Sequence, residues 1–164
     1  MSIVLDGNGA ITGLTATGIS AVQQLPAGSV LQVVQGTYNT YSTSTSTSYI
    51  DSGLTASITP KSTSSKILVV SSMWFMIAGN AQGMDCGMNI VRNSTQIWES
   101  LNQAINVYNQ GSATGVEFGV PVSLNYLDSP ATTSSTTYKI QVKKGNGSEI
   151  RWRSGTIILM EIAA

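Results

Sequence analysis

The sequence predicts an all-β protein: an antiparallel β-sandwich or jelly roll preceded by an extended N-terminal arm. Short runs rich in Val, Ile, Thr and Tyr alternate apolar and polar positions, Gly-, Pro-, Asn- and Ser-rich turns separate them at regular intervals, and no window carries a convincing helical spacing of apolar residues. The composition agrees. Of 164 residues, 41% are hydrophobic, too many for a disordered tract, although 23 are Ser and 18 are Thr. That length allows one domain with a real core plus a short appendage.

Residues 1–26 stand apart. The stretch from Gly7 to Ile19 holds four glycines in thirteen residues, which disfavours a helix. Its apolar residues, among them Ile3, Val4, Leu5, Ile11, Leu14 and Ile19, fit neither period and cannot form a core alone. They are expected to bury against another chain or another protein, which makes residues 1–26 an assembly arm and 27–164 the β-domain. Pro26 and Gly28 punctuate the boundary.

Within the domain, Ser29–Tyr38 reads as a strand and Thr40–Ser48 as a solvent-facing edge or loop. Tyr49–Thr59 reads as a turn at Asp51-Ser52-Gly53 followed by a short strand through Leu54, Ala56 and Ile58. Lys66–Ala78 is a long buried strand. Gly83–Val91 places Met84, Cys86, Met88 and Ile90 on one face, and Thr95–Leu101 pairs back on it. Gly115–Leu127 alternates from Val116 to Tyr126, with Pro121 demoting it to an edge or a bulge. Tyr138–Lys144 and Glu149–Ser154 read as a hairpin across Gly145-Asn146-Gly147. Thr156–Ile162 is so apolar that it belongs in the middle of a sheet.

Composition also narrows the chemistry. There is no His and there is one Cys, so imidazole catalysis, an internal disulfide and a Cys-based zinc site are all excluded. Eight basic against eight acidic residues give no net charge, and 10% charged residues leave no basic footprint for nucleic acid. Cys86 shares a face with Met84 and Met88 and reads as core. Asp85, Glu99, Glu117 and Glu149 show no spacing that pairs two of them for glycoside hydrolysis. Asp6-Gly7-Asn8-Gly9 opens like a calcium loop, but its twelfth position is Thr17 where a Glu is needed. No metal site, cofactor or catalytic residue is therefore expected. The start, MSIVLDGNGA, lacks a basic segment and a long apolar run, so no secretory signal is expected. The longest apolar run, Ile67–Ala78, is short of the roughly 20 residues of a membrane helix. Without export, the sequons at Asn93 and Asn146 read as turns. Trp98 and Trp152 fall with apolar neighbours. Tyr38, Tyr41, Tyr49 and Tyr108 lie in polar surroundings and are candidate surface contacts to a receptor or sugar. Lys143, Lys144, Arg151 and Arg153, grouped across one hairpin, are a candidate contact for an acidic partner.

Several segments together resemble tail-fibre and virion structural proteins of aquatic tailed bacteriophages. They are Pro26–Gln35, Asp51–Leu54, Ile58–Val69, Thr136–Val142 and Thr156–Ile162, with Ile3–Gly13 similar to the start of such proteins. Residues 80–127 match less clearly. The resemblance implies a non-enzymatic protein of the virion surface, made in the host cytoplasm. It implies a homotrimeric sandwich of jelly-roll or C1q-like type, with Ser29–Gln35 and Thr156–Ile162 central or near the threefold axis. Its partners would be itself, capsid or tail proteins, and a host-surface glycan or protein, with no nucleic acid and no membrane insertion. The short arm departs from a long-shafted fibre and also suits a capsid decoration, or cement, trimer.

Overall fold

A computed structural model describes residues 25–79, 83–101, 103–108 and 115–164, together with the backbone of 4–5 and 11–12. Two short strands, β1 (Val4–Leu5) and β2 (Ile11–Thr12), pair antiparallel with each other. The other strands are β3 (Val30–Tyr38), β4 (Ser42–Ser44), β5 (Ile50–Ile58), β6 (Lys66–Gly79), β7 (Gly83–Arg92), β8 (Thr95–Glu99), β9 (Ile105–Tyr108), β10 (Val116–Asp128), β11 (Thr136–Lys144) and β12 (Glu149–Ile162). They form two antiparallel sheets. The front sheet has the order β10-β6-β12-β3, with β4 also on β12; the back sheet has the order β5-β11-β7-β8, with β9 also on β7. Their inner faces pack as the expected β-sandwich.

Alternation fills the space between the sheets. Ile67, Val69, Met73, Phe75 and Ile77 of β6 meet Met84, Cys86, Met88 and Ile90 of β7 and Tyr138, Ile140 and Val142 of β11 in one apolar core. The apolar final strand, β12, lies inside its sheet, and the proline-bearing β10 lies at an edge, as their residues predict.

Three local readings are corrected. Asp51-Ser52-Gly53 is no turn: β5 runs straight through it, Gly53 takes a left-handed φ of 88°, and the pairing with β11 shifts register there. A glycine inside a bulge absorbs the extra residues without reversing the chain. Glu149–Ser154 and Thr156–Ile162 are likewise one strand. Ser154 adopts a φ of 43° at a register shift, so Ile150 and Trp152 before it, and Ile157 and Leu159 after it, all face inward. Finally, Gly145–Gly147 joins no hairpin. It carries the chain from β11 in the back sheet to β12 in the front sheet, held by Asp85, which accepts from the Asn146 side chain at 2.8 Å.

Polar ties cross the core. The buried Tyr138 hydroxyl donates to Asp128 of β10 at 2.6 Å, and Arg92 of β7 donates to both oxygens of that carboxylate at 2.9 Å. Burial, then the Asp128 carboxylate, push the Tyr138 phenol far above its ordinary range. Trp152 of β12 donates its indole N–H to the Ser52 carbonyl at 2.8 Å, and Ser52 Oγ donates to the Ile140 carbonyl at 2.7 Å. In the same row of the front sheet as Asp128, across Ile67, Glu161 is fully buried and accepts from the Lys61 N–H and from Gln32 Nε2, each at 2.6 Å. Burial raises this carboxyl, but the Ser65 hydroxyl, the Gln32 amide and the Lys61 and Ser62 backbone N–H groups outweigh it and hold the pKa below its usual value.

The sheets close against each other along β3 and β5. A Cβ on Gly36 would sit 2.0 Å from the Thr55 carbonyl oxygen. Gly36→Ala is expected to force the sheets apart and cost about 1–3 kcal/mol, read by denaturant unfolding. Glu161→Gln is expected to cost about 1–2 kcal/mol at pH 7. Because the folded pKa is lowered, this stabilisation is present above the unfolded value of about 4.3 and is lost as pH falls through the folded one. The difference between wild type and variant should therefore shrink in unfolding curves taken from pH 7 to pH 3.

Candidate interaction surfaces

The outer face of the front sheet is apolar over its lower half. Pairing register places Leu127, Leu68, Met160 and Val33 in one row across β10, β6, β12 and β3, with Asn125, Val70, Ile158 and Gln35 in the next. Val30 and Ile162 pair below them, and the exposed Lys66 pairs with Ile162 at the sheet's end. Val30 is 52% exposed, Val33 57% and Leu127 50%, and no charged side chain stands in either row. Exposed apolar surface of this extent is a candidate contact surface.

The upper half of the same face is charged and stacked. Arg153 lies over the Trp74 ring, 4.3 Å from its centroid. Arg151 donates to Glu117 at 2.6 Å and to Glu149 at 2.6 Å. So two of the sequence-flagged carboxylates do come together, but around a guanidinium. Hydrogen bonds from Thr43 and then Arg151 hold the Glu149 carboxyl below the usual range. A glycosidase pair needs one carboxyl raised to act as acid, and this arrangement works the other way.

The four candidate cations do not form one patch. Lys143 and Lys144 belong to the back sheet, Arg151 and Arg153 to the front. Lys143 sits over the Tyr49 ring at 4.6 Å, and Lys144 Nζ donates to the Gly145 and Gly147 carbonyls. The four candidate tyrosines separate as well. Tyr38 is half-buried against the core, with its hydroxyl 2.5 Å from Ser42 Oγ. Tyr49 is half-buried on the back sheet, while Tyr41 and Tyr108 are exposed. Of the arm residues, Val4, Leu5 and Ile11 lie in β1 and β2, and Ile3, Leu14 and Ile19 lie outside the described residues, as does Asp6–Gly9. Cys86 is core, its thiol pushed up to about 12 chiefly by burial.

A cleft opens where the sheets diverge, between edge strand β10 and the segment joining β8 to β9. Its volume is about 410 Å³, within the range of small-molecule sites. Trp98, Glu99, Ser100, Gln103 and Val122 are among its walls. Sequence parity assigned Trp98 to the core. It does pack on the core, yet it also walls this cleft, because β10 comes from a different sheet and its distance from β8 leaves no trace in either strand's pattern. Beyond the cleft wall, burial first and the Glu99 carboxylate next push the Tyr49 phenol up to about 12.

No protein-family model matches the chain, and no curated protein matches it significantly. Among solved structures, a chain of the T13 particle of IBDV matches with a TM-score of 0.44 at 17% identity, over 78% of this chain and 30% of that one. The VP2 subviral particle of infectious bursal disease virus matches with a TM-score of 0.40 at 16% identity, over 80% and 33%. The dimeric latent PorU of Porphyromonas gingivalis matches with 0.35 at 12%, over 85% and 14%. The chain thus spans about a third or less of these proteins. Values this low say nothing of what it binds or does.

The tyrosine assignment has a direct check. In ultraviolet difference titration, replacing Tyr49 by Phe is expected to remove a phenolate signal that rises near pH 12. Loss of a signal near pH 10 would contradict the buried, Glu99-facing position.

Proposed function

We propose that the protein is a non-enzymatic structural component of a tailed-bacteriophage virion, a homotrimer acting in a fibre or receptor-binding assembly. The observation that supports this reading best is the apolar outer face of the front sheet, with a further copy of this chain as its occupant. Charge permits that occupant, since copies of a chain with no net charge do not repel. The apolar lower half is about half of the roughly 700 Å² spanned by the 14 residues of β6 at about 3.3 Å each across four strands about 4.8 Å apart, so a second copy would also contact residues beyond these rows to reach the about 800 Å² per partner of a stable interface. The sequence resemblance to phage virion proteins supports the setting, and the scattered surface positions of Tyr41 and Tyr108 leave both open for receptor contact.

A decoration protein is the second reading, favoured by where the arm joins the domain. Gly28 N–H donates to the Ala163 carbonyl at 2.8 Å and Ala163 N–H to the Ser29 carbonyl at 2.9 Å. The chain therefore enters beside Val30 and Ile162, at the apolar end of the front sheet, where an arm could clamp neighbouring protein.

Light scattering of the purified protein is expected to give a trimer mass, and Met160→Glu to give a folded monomer by placing a charge in the apolar rows. A monomeric wild type, or a trimer indifferent to Met160→Glu, overturns the assembly. Quantitative mass spectrometry of purified virions then separates the readings. A few to a few dozen copies per particle support a fibre component, and a ratio near that of the shell subunit supports decoration.

A further inference from the structure

We propose that the cleft between β10 and the β8–β9 segment binds the end of an uncharged glycan. This deepens the receptor-binding reading and rests on it for where such a glycan would be met. The lining makes the chemical argument. Trp98 supplies an indole, and sugar C–H groups, weakly positive, seat on the negative face of an aromatic ring. Met88, Ala104, Val122 and Leu124 add an apolar floor.

The polar groups are set to meet hydroxyls. Ser100 Oγ accepts from the Met88 N–H at 2.9 Å, so its own proton is available to a ligand. Gln103 accepts from Asn106 through Oε1 at 3.4 Å and keeps its amide N–H pair for a ligand. Glu99 faces the Tyr49 hydroxyl on one side and keeps acceptor capacity for a ligand hydroxyl on the other. The segment is also conformationally committed: Leu101, next in sequence to Ser100, takes a φ of 53° and is 68% exposed. A Leu in the left-handed region is uncommon and persists where surrounding structure fixes it.

Charge selects among ligands. Glu99 is the one ionisable side chain in the lining, and no Lys or Arg accompanies it. Phosphorylated ligands and acidic sugars would face an unscreened carboxylate, so nucleotides, uronic acids and sialic acids are disfavoured. A purely apolar ligand would strand the Glu99, Ser100 and Gln103 groups without partners. A neutral hexose or N-acetylhexosamine satisfies both sets.

The test uses the full chain and a panel of neutral hexoses, N-acetylhexosamines, glucuronic acid and sialic acid. Each is offered free, by titration calorimetry, and as the terminal unit of an immobilised oligosaccharide. At least one neutral sugar is expected to bind saturably and the acids not to bind. Trp98→Ala and Glu99→Gln are each expected to weaken binding about tenfold or more, with Trp98→Phe retaining part of it as a control for folding. Binding of only the immobilised form supports a surface glycan over a free sugar. Absence of neutral-sugar binding, equal binding of acids, or binding unchanged in both variants overturns the proposal. Failure here with the protein present in virions leaves the virion reading standing, and sugar binding by a protein absent from virions does the reverse.

Discussion

The rest of the molecule follows from how the two sheets meet. Along β3 and β5 they touch backbone to backbone, because Gly36 offers no side chain to the Thr55 carbonyl. At the other margin, edge strand β10 and the residues after β8 wall a cleft beside Trp98. The close approach on one side and the cleft on the other frame the core between the sheets.

Polar groups then hold the two layers in register where apolar packing alone would let them slide. Asp128, Tyr138 and Arg92 tie β10 to the back sheet in the row of Ile67; Glu161, in the same row, ties β12 to β3 and to the Lys61 loop; Trp152 and Ser52 tie the layers farther along β12. Each is directional, and each costs more broken than it contributes intact, since its partner would remain buried and unmet. Together they supply a specificity of alignment that alternating Val, Ile and Met do not.

Much of this was legible in the residues. The long apolar run at Lys66–Ala78, the alternation around Cys86 and the proline in β10 each announced their place, because burial on one face leaves a period of two. What stayed hidden was phase and pairing. The bulges at Gly53 and Ser154 looked like strand ends, since a local pattern cannot tell a break from a slip of one or two residues. The same blindness joined Lys143 and Arg151 into one hairpin, although the chain changes sheet between them. The apolar pattern of Thr156–Ile162 carries no sign of where its Glu161 goes, and only the distant donors, Gln32 and the Lys61 N–H, explain its burial. The cleft was invisible for a similar reason: its two walls lie in different sheets.

The interior position of β12 has a consequence for how the protein is made. β3 and β6 both wait for it, since each pairs with β12 in the finished sheet. A ribosome adding about 5–20 residues per second needs roughly 4–14 s to travel from Gly79 to Glu149. Through that interval the nascent chain holds two unmatched apolar strand edges. β6 can meet β10 earlier, but the front layer closes only when β12 arrives between β6 and β3, and until then their unpaired edges are open to pairing with other chains.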